Sequence, residues 1–258
     1  MSVPVLSCTG LSRAFGALKA VDGVDLHVAP GARHALIGPN GAGKSTLFKL
    51  VTGILRADAG TVSLDGADVT RVSEVRRCRR GMSQTLQHAS LFSSMTAVET
   101  VVLAVQRHGA DGGGGRISVL PRHRPRVEER AEELLGEVGL AGRGHVMVHS
   151  LSHGERKQLE VALALACRPR LLLLDEPAAG MSGAESARLV ELLTGLPAEV
   201  TVLFVEHDLD LVFELADAVT VLHLGRVLLS GTPDEVRASE AVREAYLGTS
   251  RREELFLP

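Results

Sequence analysis

The stretch ARHALIGPNGAGKSTLFKLVTGIL, residues 32–55, constrains the fold more than any other part of the chain. A short apolar run ends at Gly38, a glycine-rich loop follows, and apolar residues then recur at helical spacing. The loop matches G-x-x-x-x-G-K-[ST], with Gly38, Gly43, Lys44 and Ser45 at the defining positions. Strand, glycine loop and helix in that order form a phosphate cradle, read here as Gly38, Pro39, Asn40, Gly41, Ala42, Gly43, Lys44, Ser45 and Thr46. Glycines let backbone N–H groups close around a β-phosphate. Lys44 supplies a point charge to the β and γ oxygens, and the Ser45 hydroxyl can ligate Mg²⁺.

Around this loop the chain alternates between strand-like and helix-like patterns. Residues 3–31 read as short half-buried antiparallel strands with turns at Gly23 and at Pro30-Gly31, and TVSLDGADVT reads as a further hairpin. From Ser152 onward LLLLDEP, AESARLVELLTGL, EVTVLFVEHD and LDLVFELADA alternate strand and helix, which implies a mostly parallel sheet. Between them, DGGGGR and PRHRP are loop signals. RVEERAEELLGEVGL places Val127, Ala131, Leu134, Leu135 and Val138 on one face of an amphipathic helix.

With 258 residues and 45% hydrophobic composition, one domain with a subdomain is expected. A net charge of -3 offers no global electrostatic reason to expect nucleic acid. Three cysteines, Cys8, Cys78 and Cys167, lack metal-ligand spacing and fit a reducing compartment, so a cytoplasmic location is expected. The first residues lack a signal-peptide pattern. No apolar run approaches the ~18 residues of a membrane span, so any membrane role is expected to be peripheral.

Two further segments end buried strands with chemistry-bearing residues. LLLLDE brings Asp175 and Glu176 to the C-terminal strand edge, where open α/β sheets bind ligands. An isolated Asp-Glu pair would ordinarily cap a turn. Beside a phosphate loop, Asp175 instead suits a Mg²⁺ shell and Glu176 suits a base for an attacking water. VEHD brings His207 to the same edge, where imidazole can donate to a γ-phosphate oxygen or to the water. His145 and His149 stand four apart but lack the acid of a zinc helix, and are read as non-metal.

The ordered set GPNGAGKST, a glutamine in RGMSQTLQHASLF, LSHGE, LLLLDEP and VEHD resembles the nucleotide-binding subunit of an ABC transporter over nearly the whole chain. TLQHASLF, the insert before LSHGE, DEPAAGM, VEHDLDLV and VREAYLG are similar to the branched-chain amino-acid uptake group. The resemblance implies an α/β fold, with a P-loop NTPase (RecA-like) core, an N-terminal antiparallel β-subdomain and a helical signature subdomain. The expected division is 1–90 with 155–240 for the core, 91–154 for the helical part and 241–258 for a tail that packs.

It also implies roles for particular residues. Phe15 would stack on adenine, where an aromatic otherwise usually packs in a core. Gln87 would touch Mg²⁺ and the attacking water, with Gln84 as the competing choice. Ser152 and Gly154 of LSHGE would reach the γ-phosphate held by Lys44 of a second subunit. His153 and Glu155 depart from the LSGGQ pattern. Glu155 would repel a triphosphate unless it turned away or paired with a neighbour such as Arg156. AAGMSGAE lacks the aspartate common after the glutamate, leaving Ser182 as the polar candidate.

The function so implied is an ATPase subunit, with ATP and Mg²⁺ as cofactors, that dimerises and drives separate membrane permease subunits. An extracytoplasmic binding protein is an indirect partner, and the subunit lies on the inner face of the membrane. The rival within transport is a lipopolysaccharide-export ATPase. A soluble mechanical ATPase would be expected to carry long coiled coils or paired cassettes, and a GTP switch would carry N-K-x-D; neither pattern is present.

Overall fold

The computed structural model describes residues 3–85, 92–108 and 124–247. Gln87, the DGGGGR run and the end of the tail lie outside these residues.

A four-stranded antiparallel sheet opens the chain, in the order β2-β1-β4-β5. Its strands are β1 (Leu6–Phe15), β2 (Leu18–Val28), β4 (Ala59–Leu64) and β5 (Ala67–Asp68). The first hairpin turns at Gly16, at φ 61°, and not at Gly23. Gly23 lies inside β2 at a bulge: Leu11 pairs with Val24 and Arg13 with Val21, so three β2 steps oppose two in β1. Its positive φ of 65° suits that irregularity, and its N–H donates to Ser12 Oγ at 2.9 Å.

The second sheet has the order β10-β9-β3-β8-β7-β6. It comprises β3 (Arg33–Ile37), β6 (Met82–Gln84), β7 (Leu171–Asp175), β8 (Thr201–Val205), β9 (Ala218–His223) and β10 (Arg226–Gly231). All pairings are parallel except the β9–β10 hairpin. In β7, Leu172 and Leu174 enter one apolar core while Leu171 and Leu173 enter the other. Strand side chains alternate between faces, and both faces are covered, so a run of four leucines is fully buried.

The helix α1 (Lys44–Thr52) follows β3 and buries Leu47, Phe48, Leu50 and Val51 against the antiparallel sheet. The short α2 (Glu74–Cys78) carries Arg77, which is 2% exposed. On the opposite side of the parallel sheet, α3 (Ala97–His108), α4 (Arg124–Glu137) and α5 (His153–Ala166) pack on one another. Val127, Ala131, Leu134, Leu135 and Val138 are all buried, as one face of an amphipathic helix implies, and they share a core with Leu172 and Leu174. The last two residues of PRHRP are helical rather than loop. Pro125 sits in the first turn of α4, where its missing N–H has no intrahelical partner to lose.

The chain continues through α6 (Gly183–Thr194), α7 (Leu209–Leu215), α8 (Pro233–Ala238) and α9 (Glu240–Leu247). Val242 and Tyr246 of α9 are buried, so the described part of VREAYLG packs. Among the described residues no helix is long and apolar enough to cross a membrane.

Candidate functional site

The phosphate loop needs two of its glycines for backbone reasons. At Gly38 φ is 147°, and a Cβ would sit 2.2 Å from the Leu222 carbonyl oxygen; at Gly43 φ is 104°, and a Cβ would sit 2.3 Å from that of Ala20. The loop therefore nests against β9 and β2 only without side chains at these positions. A hydrogen bond of 3.0 Å from Gly225 N–H to the Ala42 carbonyl ties it to the β9–β10 turn. Lys44, the first residue of α1, is buried, and its ammonium donates to the carbonyls of Gly38 and Pro39. Burial lowers its pKa, while Glu176 and Asp175 act in the opposite direction.

The loop opens into a cleft of about 560 Å³. Asn40 to Thr46 line one wall, Phe15, Leu18, Lys19, Ala20 and Leu224 another, and Glu176 and His207 a third. Phe15 ends β1, is 46% exposed, and has the Arg13 guanidinium 5.0 Å from its ring centre. The apolar rim residues Leu18 and Leu224 were not legible as site residues, since nothing local distinguishes them from ordinary turn leucines.

Asp175 ends β7, and its buried Oδ1 has no hydrogen-bond partner among the described residues. Burial, and then the neighbouring Glu176, raise its pKa. Glu176 has left-handed φ of 49°, which is unusual for a residue with a side chain, and its N–H donates to the Val205 carbonyl at 2.9 Å. That backbone turns its carboxylate toward β8, where Glu176 Oε1 lies 2.7 Å from His207 Nε2. Glu206, 4% exposed, accepts from Ala178 N–H at 2.9 Å and from His207 N–H at 3.0 Å. It thus clamps the segments that carry Glu176 and His207, and burial raises its pKa. The VEHD motif contained this residue, but its backbone partners were invisible without coordinates.

The LSHGE segment is a helix start. Ser152 caps α5: its hydroxyl accepts from Glu155 N–H at 3.1 Å, and Glu155 Oε2 accepts from Ser152 N–H at 2.8 Å. Glu155 Oε1 accepts from Arg143 at 2.9 Å. The bond from Ser152 N–H and the Arg143 guanidinium hold the Glu155 carboxyl below its usual pKa. The expected partner Arg156 instead donates to the carbonyls of Leu151 and His149. His153 Nε2 lies 3.0 Å from the Ala179 carbonyl. At Gly154 a Cβ would meet Glu185 Oε1 at 2.5 Å.

Ser182 caps α6, with its hydroxyl 2.8 Å from Glu185 Oε2, so its polar atom serves the helix end. Gln84, the competitor of Gln87, donates to Glu74 at 2.6 Å. Nδ1 of His149 lies 2.9 Å from the Ser93 carbonyl. Ser152 and Gly154 are not among the residues lining the cleft around Lys44.

A phosphate loop, a strand-end Asp-Glu pair and a histidine on the glutamate, joined on one sheet edge to a separate capped signature helix, define an ATP-binding cassette. A family model described as ABC transporter matches residues 21–179, and the chain belongs to that family; it is an ATPase. A second model, described as branched-chain amino acid ATP-binding cassette transporter, matches residues 226–251. The chain is 38% identical over 253 residues to the high-affinity branched-chain amino acid transport ATP-binding protein BraF of Pseudomonas aeruginosa, covering 96% of this chain and 99% of that one. It is 36% identical to the corresponding LivG of Escherichia coli K12, with 96% and 99% covered. The lipopolysaccharide export system ATP-binding protein LptB of Acidithiobacillus ferridurans is 34% identical, with 95% and 97% covered. Among solved structures, the ADP conformation of MJ1267, an ATP-binding cassette of an ABC transporter, has a TM-score of 0.82 at 27% identity, covering 96% of this chain and 100% of that one.

Proposed function

We propose that this ATPase works as a dimer on the inner face of the cell membrane and powers separate permease subunits that take up branched-chain amino acids or related small solutes. The relatives' names and the match at residues 226–251 support the solute class. An extracytoplasmic binding protein would deliver the solute.

The observation that carries the catalytic reading is the Glu176–His207 pair, 2.7 Å apart, on the wall of the cleft that also holds Lys44. Phe15 packs on the adenine, with its apolar neighbours completing that wall. The backbone N–H groups of Gly41 to Thr46 and the Lys44 ammonium hold the β and γ phosphates. Mg²⁺, when bound with the nucleotide, neutralises phosphate charge. The fit of the donors rests on the buried, unpartnered Asp175 Oδ1 and on hard oxygen chemistry, with Ser45 and Asp175 as ligands and Gln87 the further candidate by resemblance. Glu176 accepts a proton from the attacking water, and His207 orients Glu176 and donates toward the γ-phosphate.

Ser152 and Gly154 complete the site of the facing subunit. Glu155 does not repel the triphosphate there, because the capping box and Arg143 turn its carboxylate back onto its own helix. The helical part, 91–154, faces the permease, with 1–90 and 155–240 forming the catalytic core and 241–258 the tail.

Glu176→Gln should lower ATP turnover by about two to four orders of magnitude while nucleotide binding persists, as loss of a positioned base does. Near-normal turnover would end the assignment. Co-purification with a permease pair, followed by leucine-stimulated ATPase, tests the solute class.

A further inference from the structure

The chain's three thiols sit in different chemical settings. Cys8 is buried in β1, and burial pushes its pKa up to about 12, leaving it unreactive. Cys78 ends α2 and Cys167 follows the last turn of α5, so the fold joins two cysteines that are remote in sequence. Both are partly exposed, and both line a cavity of about 300 Å³ with Met82, Ser83, Gln84 and Glu160. The two thiols share that one cavity, and each perturbs the titration of the other, as neighbouring sulfurs do. The Ser83 hydroxyl, buried and without a hydrogen-bond partner among the described residues, lines the same cavity. Cys167 Sγ also lies 3.7 Å from the Leu163 carbonyl, one turn back in α5.

We propose that Cys78 and Cys167 form a redox-responsive dithiol site, which a hydroperoxide converts to a reversible disulfide joining the end of α5 to α2. Two paired sulfurs on an open cavity supply both parts of such chemistry, an attacking thiolate and a resolving thiol. Cys78 is the attacking group. The Cys167 thiol lowers its pKa to about 7, against burial and the Glu74 charge and with the Arg79 charge, whereas the pairing and burial raise that of Cys167.

The Cys78 thiolate attacks one peroxide oxygen, breaking the O–O bond to give Cys78 sulfenic acid and hydroxide. Cys167 sulfur then displaces the sulfenic oxygen as water. In sum, two thiols lose two electrons and two protons, and one hydrogen peroxide becomes two waters. In a reducing compartment the pair rests as thiols and closes only under peroxide. The crosslink would tether α5, whose other end carries Ser152 and Gly154, to the segment that enters β6.

The test treats the folded full-length chain with a small molar excess of hydrogen peroxide, counts thiols after denaturation, and maps peptides without reduction. Two of the three thiols should disappear, a Cys78–Cys167 peptide pair should appear, and dithiothreitol should restore both. Cys167→Ser should stop at a Cys78 sulfenic acid that dimedone traps, and Cys78→Ser should leave Cys167 reduced at the same dose. Retention of all three thiols in the wild type, a disulfide between other cysteines or between chains, or equal oxidation in Cys78→Ser would overturn the proposal.

Discussion

Replacing Arg77 with leucine should destabilise the fold without weakening nucleotide binding. The guanidinium donates to the carbonyls of Val72 at 3.0 Å, Leu50 at 2.9 Å, Thr70 at 3.1 Å and Val51. Leu50 and Val51 belong to the last turn of α1, where the Leu50 carbonyl also accepts from the Gly53 N–H at 3.3 Å. Each bond from a charged donor contributes roughly 1.5–3 kcal/mol, opposed by the cost of burying the guanidinium. Each buried carbonyl left without a donor costs about 1–3 kcal/mol, while the charge need no longer be buried and leucine refills part of the volume, so a loss of about 4 kcal/mol is expected. For a chain of this size that lowers Tm by roughly 10 °C. Arg77→Lys keeps the charge but has all its donors on one atom and cannot reach four divergent carbonyls; about half the loss should remain. Urea unfolding followed by circular dichroism reads the stability. ATP titration of the folded variant should match the wild type, because Arg77 holds the end of α1 opposite Lys44. An Arg77→Leu protein within about 1 kcal/mol of the wild type would refute this account of α1 capping.

Two smaller changes test other parts of the structure. His34 is buried against Thr220, 2.8 Å away, and burial depresses its pKa to about 4 from 6.5. Below pH 6.5 the unfolded chain takes up this proton before the folded one, so stability present at neutral pH is lost as pH falls toward about 4, by about 3 kcal/mol in total. His34→Gln should remove that part of the acid sensitivity; identical pH slopes of the urea midpoints in variant and wild type would contradict it. Glu155→Ala should cost about 1 kcal/mol through loss of the capping box, whereas Glu155→Gln should cost less because an amide can still cap. Thermal melts of the two variants check the order, and equal losses would show that the Arg143 charge, not the cap, dominates.

The parts of the fold set by local chemistry were legible. The phosphate loop, β3, β7 and β8 carry either glycines required by close backbone approach or apolar runs bounded by turn residues, and both signals are short-range. The first hairpin was misread because Gly16 and Gly23 are equally good turn residues, and only the pairing of β1 with β2 decides which one is a bulge. The β9–β10 hairpin and α8 went unread, although AVTVLHLGRVLL alternates around a Leu-Gly turn. At the site, Glu176 and His207 could be named from strand ends. The partners that explain them are long-range: Glu206 acts through the backbone of Ala178, and Glu155 pairs with Arg143 across a loop. No periodicity reports such contacts.

ATP-dependent dimerisation tests whether Ser152 and Gly154 of a second subunit complete each site. Light scattering on size-exclusion-purified Glu176→Gln protein should show monomer without nucleotide and dimer with saturating ATP and Mg²⁺. Adding Ser152→Asp keeps the helix cap but places a carboxylate against the facing phosphate, and should return the protein to an ATP-bound monomer. A Glu176→Gln protein that stays monomeric with ATP, or a double variant that dimerises as readily, would contradict the account.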